Sequence, residues 1–168
     1  MTRELRGRAG SGPTGWFASL WHMVIRALTR EDHDGWMELW DGYLSFYRVE
    51  VGEQITSLTF TRMCEKKDGM FGLVAVDDDG EVVGFANCLV HPSTWSIAGY
   101  CYLEDLFVAP HARGGEVAKG LIDATAAAAH ERGVERMYWN TQQFNGAARS
   151  LYDTVGKLTS MVVYEREV

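Results

Sequence analysis

The stretch Leu106-Phe107-Val108-Ala109-Pro110-His111-Ala112-Arg113-Gly114-Gly115-Glu116-Val117-Ala118 decides the fold, because an apolar strand, a proline stop, a glycine-containing loop and a helix start follow one another directly. The strand runs from Gly99 to Val108 and ends at Ala109-Pro110. Beyond the loop, the alanine-rich run from Val117 to His130 predicts a strong helix closed by Gly133. A helix N-terminus presents unpaired backbone N–H groups and a positive dipole end to an anion, and glycines let a backbone approach phosphates closely. Arg113 adds charge at the loop's start. On these residues alone the loop is either such a cradle or a packing turn, since it carries neither G-K-[ST] nor G-x-G-x-x-G.

Working outward, a strand is predicted from Val134 to Thr141, a helix from Asn145 to about Gly156 and a last strand from Leu158 to Arg166. Upstream, the apolar runs Phe71–Val76 and Glu81–Val90 flank Asp77-Asp78-Asp79-Gly80 and read as a β-hairpin. The aspartates do not make a calcium loop, which needs ligands spread over twelve residues and a terminal glutamate. Trp36, Leu39, Trp40, Tyr43, Leu44 and Tyr47 recur at helical spacing behind Thr29 as N-cap, predicting a helix of about five turns. Its aromatics either pack a core or line a ligand pocket. A second helix spans Gln54 to Lys66, with Ile55, Leu58 and Met63 facing inward. His91 reads as a loop residue.

The order of elements implies an α/β (α+β) fold with a mixed, mostly antiparallel central sheet flanked by helices, and one parallel crossover around residues 118–131. Residues 1–22 mix arginine, glycine and proline and read as a flexible leader, with Met23 the expected natural start; residues 23–168 read as one domain. No run approaches the roughly 18–20 apolar residues of a membrane span, and no signal-peptide core is present, so the expectation is a soluble, cytoplasmic protein. Cys64, Cys88 and Cys101 are odd in number and lack C-x-x-C spacing, which fits reduced thiols and gives no metal site. The formal charge of −7 divides unevenly: residues 1–30 sum to +4, leaving −11 for residues 31–168. So acidic a region repels nucleic acid and favours cationic small molecules.

Two motifs in this order resemble those of the GNAT superfamily of N-acetyltransferases. The deciding stretch looks like the family's acetyl-CoA motif, an Arg or Gln followed by x-x-G-x-G/A, and Asn145-Gly146-Ala147-Ala148-Arg149-Ser150-Leu151-Tyr152 resembles its N-x-x-A-x-x-L-Y segment. The resemblance implies acetyl transfer from acetyl-CoA to an amine. It implies that the strand at Leu106, Phe107 and Val108 pairs with the pantetheine arm, and that Arg113 and the amides of Gly114, Gly115, Glu116, Val117, Ala118 and Lys119 hold the diphosphate. Asn145 and Ala148 then contact the cofactor, and Tyr152 protonates the leaving thiolate. The residue type suits the task, because a phenol of pKa about 10 is protonated at neutral pH and lies near a thiol's value of about 8.5.

Tyr102-Leu103-Glu104-Asp105-Leu106-Phe107-Val108 is similar to the corresponding strand of the diamine acetyltransferases, the spermidine/spermine and thialysine enzymes among them. By that likeness Glu104 faces the amine, Asp105 is a second substrate-side acid, and Tyr138, Trp139 and Asn140 form another wall. As its strand neighbour, Asp105 points to the opposite face unless a bulge intervenes. The resemblance also implies a small-molecule amine as partner and admits a homodimer. Two departures stand out. Glu116 occupies the place of the family's second glycine; if φ > 0 is needed there, it costs on the order of 1–3 kcal/mol and adds repulsion. That sustains an alternative, a non-catalytic binding or regulatory module with weakened CoA binding. Thr159-Ser160-Met161 replaces the Gly-Phe of many relatives.

Overall fold

The structure, a computed structural model, describes residues 23–168, so the proposed leader lies outside the described residues. Strand β1 (Val24–Ala27) and a 3-10 turn (Arg30–Asp32) lead into helices α1 (His33–Tyr47) and α2 (Glu53–Glu65). Strands β2 (Met70–Val76), β3 (Val82–Ser93) and β4 (Ser96–Val108) follow, then a 3-10 turn (Pro110–Ala112), helix α3 (Val117–Glu131), strand β5 (Met137–Tyr138) and helix α4 (Gly146–Val155). The sheet order is β1-β2-β3-β4-β5, antiparallel up to β4. Strand β5 pairs parallel to β4, so α3 is the expected crossover.

Each face of the sheet buries its own core. On one, Trp36, Leu39 and Trp40 of α1 and Phe60 and Met63 of α2 pack on Val74, Phe85 and Phe107. On the other, Leu121, Ile122 and Ala129 of α3 cover Leu73, Ala75, Ala86, Cys88, Cys101, Leu103 and Val108. Alternation along the strands supplies both sets, as Leu73 against Val74 shows. Burial pushes the Cys101 thiol up to about 11 and the Cys88 thiol up as well, so both are protonated packing groups at neutral pH. The start of α1 is tied to β1, because Asp32 accepts two bonds from the Arg26 guanidinium at 2.7 Å each and one from the Thr29 amide at 2.8 Å.

Three expectations change. The buried residues of α2 are Thr56, Phe60 and Met63, while Ile55 and Leu58 are exposed; of the expected inward set Met63 alone is buried, and Thr56 carries no polar penalty because Trp40 Nε1 donates to its hydroxyl at 3.2 Å. Strand β5 holds two residues rather than Val134–Thr141, because β4 changes course just past the pairing of Tyr102 with Tyr138. No strand forms from Leu158 to Arg166: residues 157–168 have no sheet partner and are exposed throughout.

Candidate active site

The change of course is a β-bulge. Asn87 of β3 pairs with Asp105 and the next residue, Cys88, pairs with Leu103, which leaves Glu104 without an opposite number. An inserted residue interrupts strand alternation, so the two neighbouring carboxylates turn to the same side, toward α1. Asp105 accepts a hydrogen bond from Asn87 Nδ2 at 3.0 Å and another from the Tyr43 hydroxyl. Asn87 is fully buried, and its Oδ1 accepts from Trp36 Nε1 at 3.3 Å. Helix α1, β3 and β4 are thereby locked together behind Glu104.

Beyond Tyr102 and Tyr138 the parallel pair splays, and a small cleft opens, lined by Tyr43, Tyr47, Leu103, Glu104, Leu106, Trp139, Asn140 and Tyr152. Helix α1 contributes an aromatic ladder at helical spacing. Trp36 stacks on Trp40 (5.2 Å), Trp40 on Tyr43 (5.4 Å), and Tyr43 meets Tyr47 edge-on (4.9 Å). The ladder does both things its sequence admits: its tryptophans pack the core and its tyrosines line the cleft. From α4, Tyr152 reaches in beside Trp139, their rings 5.5 Å apart. Tyr138 stacks on Tyr102 at 4.9 Å, and Asn140 Nδ2 donates to the Tyr102 hydroxyl at 3.2 Å. His91 belongs to β3 rather than a loop. Its Nδ1 lies 2.9 Å from the Pro92 carbonyl, which only accepts, so in the neutral ring Nε2 accepts from the Tyr138 hydroxyl at 3.0 Å.

Of the residues named from sequence, Glu104, Leu106, Trp139, Asn140 and Tyr152 surround this cleft, Asp105 stands behind Glu104, and Tyr138 lies one ring away. Tyr43, Tyr47 and Asn87 join them unnamed as site residues. The only sequence signal for Asn87 was a polar residue inside the apolar run Gly84–Val90. Burial raises the phenols of Tyr152, Tyr47, Tyr43 and Tyr102 above the ordinary range, so all four are proton donors at neutral pH. The Glu104 carboxyl is also raised, by burial first and by Asp105 second.

The loop before α3 has a different character. Arg113 Nε donates to the Val108 carbonyl at 3.0 Å and its guanidinium lies 5.2 Å from the Phe107 ring centre, so this side chain fastens the loop to the end of β4. Gly114 takes φ +81°, and a Cβ placed on Gly114 or Gly115 meets nothing within 4 Å, leaving the backbone open in front. Among the described residues, the amides of Gly114 through Lys119 have no intramolecular acceptor. Glu116 sits at φ −81° and ψ 0° with its side chain exposed, so the strain anticipated there is absent and the left-handed residue is Gly114. Lys119 pairs with Asp123 at 2.7 Å, and Asn145 caps α4, its Oδ1 accepting from the Ala148 amide at 3.4 Å. Unpaired amides over open glycine backbone fit a diphosphate. A larger cleft of about 550 Å³ between α1, the β2–β3 turn and the end of β4 contains neither Glu104 nor Tyr152, and the chemistry converges elsewhere.

Burial holds the Asp105 carboxyl above its ordinary range despite the bonds from Tyr43 and Asn87. The stability this group contributes is full below its unfolded pKa and is lost as pH rises through the raised folded value. Asp105→Asn, which keeps an acceptor for both donors, should therefore melt above the parent at neutral pH. The gap should close on acidification; melting curves across pH check this, and a neutral-pH deficit in the variant contradicts it.

Residues 26–156 match the model of the acetyltransferase (GNAT) family. The chain is 31% identical over 145 residues to the D-amino-acid N-acetyltransferase HPA3 of Saccharomyces cerevisiae, covering 86% of this chain and 90% of that protein. Over a shorter stretch of 63 residues, 38% of this chain and 39% of the relative, it is 36% identical to a thialysine N-epsilon-acetyltransferase of Caenorhabditis elegans. In fold it resembles AAC(6')-Iy in complex with the bisubstrate analogue CoA-S-monomethyl-acetylneamine, with a TM-score of 0.76, 21% identity and coverage of 88% and 99% of the two chains. The family match over most of the chain agrees with the splayed strands and the open loop before α3: the chain belongs to the GNAT family of acetyltransferases.

Proposed function

We propose that the protein acetylates a primary amine of a small, net-cationic molecule, a diamine, polyamine or amino-acid-like compound, using acetyl-CoA as donor. The observation that carries this reading is the bulge at Glu104, which turns that carboxylate, backed by Asp105, toward the cleft that Tyr152 also lines. Acetyl-CoA, when bound, supplies an acyl group activated as a thioester. Amides of Gly114 through Lys119 hold its diphosphate, with the backbone of Leu106–Val108 alongside the pantetheine arm.

An amine attacks only after losing its proton. The Glu104 carboxylate attracts the ammonium and, with its raised pKa, accepts that proton directly or through water more readily than an ordinary glutamate. As the C–N bond forms and the C–S bond breaks, the Tyr152 hydroxyl gives its proton to the departing sulfur, and the proton that the new amide nitrogen sheds restores the phenol. Aromatic faces at Tyr43 and Tyr47 favour a cation in the same space. The relative HPA3 is named for amino acids, whose carboxylate meets repulsion from Glu104 and Asp105 here, so diamines are the better acceptors. Free thiols fit a reducing, cytoplasmic setting.

Thiol release tests the assignments. Tyr152→Phe should lower kcat by about 100-fold with little change in KM, the usual share of a general acid. Glu104→Gln should raise KM for the amine and flatten the acidic limb of kcat/KM, which in the parent climbs as pH rises through the raised Glu104 pKa. Unchanged activity in both variants rejects these roles. Acetyl-CoA at 100 times its dissociation constant should stabilise the parent by about 2.7 kcal/mol. Glu116→Gly should tighten binding by less than about tenfold, since it removes an exposed charge and no strain; a parent that shows no shift while the variant recovers one favours the non-catalytic module.

A further inference from the structure

The aromatic floor of the cleft continues past Tyr102, away from Glu104, and ends in a cation. Cys101 and Leu103 are buried against α3, so alternation sets Tyr100 and Tyr102 on the opposite face of β4, the face toward which Glu104 also turns. Tyr138 joins them by stacking on Tyr102, and Arg136, two positions earlier in the chain, lies on the same face. The Arg136 guanidinium stands 4.7 Å from the Tyr100 ring centre and 5.9 Å from that of Tyr138. Its backbone is held too, because the Cys101 amide donates to the Arg136 carbonyl at 2.9 Å. His91 steadies the row: its Nε2 accepts from the Tyr138 hydroxyl, and its ring lies 6.1 Å from that of Tyr100.

Arg136 is a cation with capacity to spare in a chain of net charge −7. It is exposed, and among the described residues no carboxylate pairs with it. The Tyr100 hydroxyl occupies only part of its fork of five N–H donors. The remaining edge suits a carboxylate, which a planar guanidinium meets with two parallel bonds. Stacking over tyrosine rings also orders the side chain beforehand, so less freedom is lost when an anion arrives.

The spacing selects among acceptors. At the usual rise, the run of β4 from Tyr100 to Glu104 covers about 13 Å. Contacts of about 3 Å at each end leave about 7 Å for the acceptor itself, the length of a chain of about five carbons. A carboxylate beside the reacting amine meets the repulsion of Glu104, whereas one at this remove meets Arg136. Short diamines end among the tyrosine faces, so the same cleft takes them as well.

We infer that Arg136 is an anion subsite of the acceptor cleft, binding a carboxylate that the acceptor carries about five carbons from its reacting amine, with Tyr102 and Tyr138 lining the apolar span between. The inference rests on reading the cleft as an amine site.

Titration calorimetry of the full chain with ε-aminocaproate and with hexylamine, which share a chain length and differ by the carboxylate, tests it without requiring turnover. The net charge of −7 by itself favours hexylamine, so tighter binding of ε-aminocaproate reports a local cation. The expected preference is about tenfold, and Arg136→Gln should remove it. Arg136→Lys, which keeps the charge without the fork, should retain only part. In thiol release, Arg136→Gln should raise KM for ε-aminocaproate by a similar factor and leave kcat for that probe alone. A parent that binds hexylamine as tightly overturns the inference, and so does a preference that survives Arg136→Gln. Thiol release that fails for every amine while the preference stands rejects the transfer reading and supports the subsite.

Discussion

The hydrogen bond from Asn87 Nδ2 to Asp105 Oδ2 fixes where β4 gains its extra residue, and the site follows from that position. In a strand without the extra residue, Glu104 and Asp105 face opposite sides of the sheet. With it, a buried amide held from behind by Trp36 draws Asp105 toward α1, and Glu104 is carried into the cleft by the same twist. The bond matters more for geometry than for energy: a net contribution of about 1 kcal/mol is ordinary, whereas the register decides whether the two acids stand on one side of the sheet.

Electrostatics divides the site between two charges that must not meet. At the loop, Gly114 through Lys119 present amides with no acceptor among the described residues at the N-terminus of α3, a setting that favours an anion. At the bulge, burial raises both carboxyls, Asp105 adds to the rise at Glu104, and the pair favours a cation. Strand β4 separates the two ends by the run from Asp105 to Val108; under the proposed function, a donor spanning that run brings its acyl group to the acids while its phosphates stay at the loop. Glu116, the acid closest to the phosphate end in sequence, is exposed with ordinary backbone angles, and its charge meets solvent.

Helical elements were legible because their signals are local. The spacing Trp36, Trp40, Tyr43, Tyr47 and the alanine run of α3 each declare a helix within a few turns, and the chain order then requires the parallel crossover. Tyr152 and Glu104 were legible only through resemblance, since a tyrosine on a helix and a glutamate on a strand have many ordinary uses. The sequence admitted a bulge beside Asp105 and could not decide for it: the bulge depends on Asn87, seventeen residues upstream of Glu104, meeting Asp105 across a ladder whose register no local pattern encodes. The inward stripe of α2 failed for a related reason. Thr56 shares its helix face with the buried Phe60 and Met63, and Trp40 of α1 supplies a donor that lets its hydroxyl be buried there, a tertiary partner that the local pattern of Ile55 and Leu58 does not announce.

The brevity of β5 is the cleft's origin rather than a shortfall in strand propensity. Sequence from Val134 to Thr141 supports a full strand, and a full strand would continue its parallel ladder along Leu103, Glu104 and Asp105. Each added bond would draw Trp139 and Asn140 onto β4, filling the space that Tyr152 and Glu104 now face. The bulge prevents this by bending β4 directly after the Tyr102–Tyr138 pair, so backbone groups of both strands past that point are released from one another. Released strand edges are where a ligand's amides can pair without displacing protein bonds. A residue inserted in one strand thus does two things at once: it aims the acids, and it stops the neighbouring strand from closing the cleft they need.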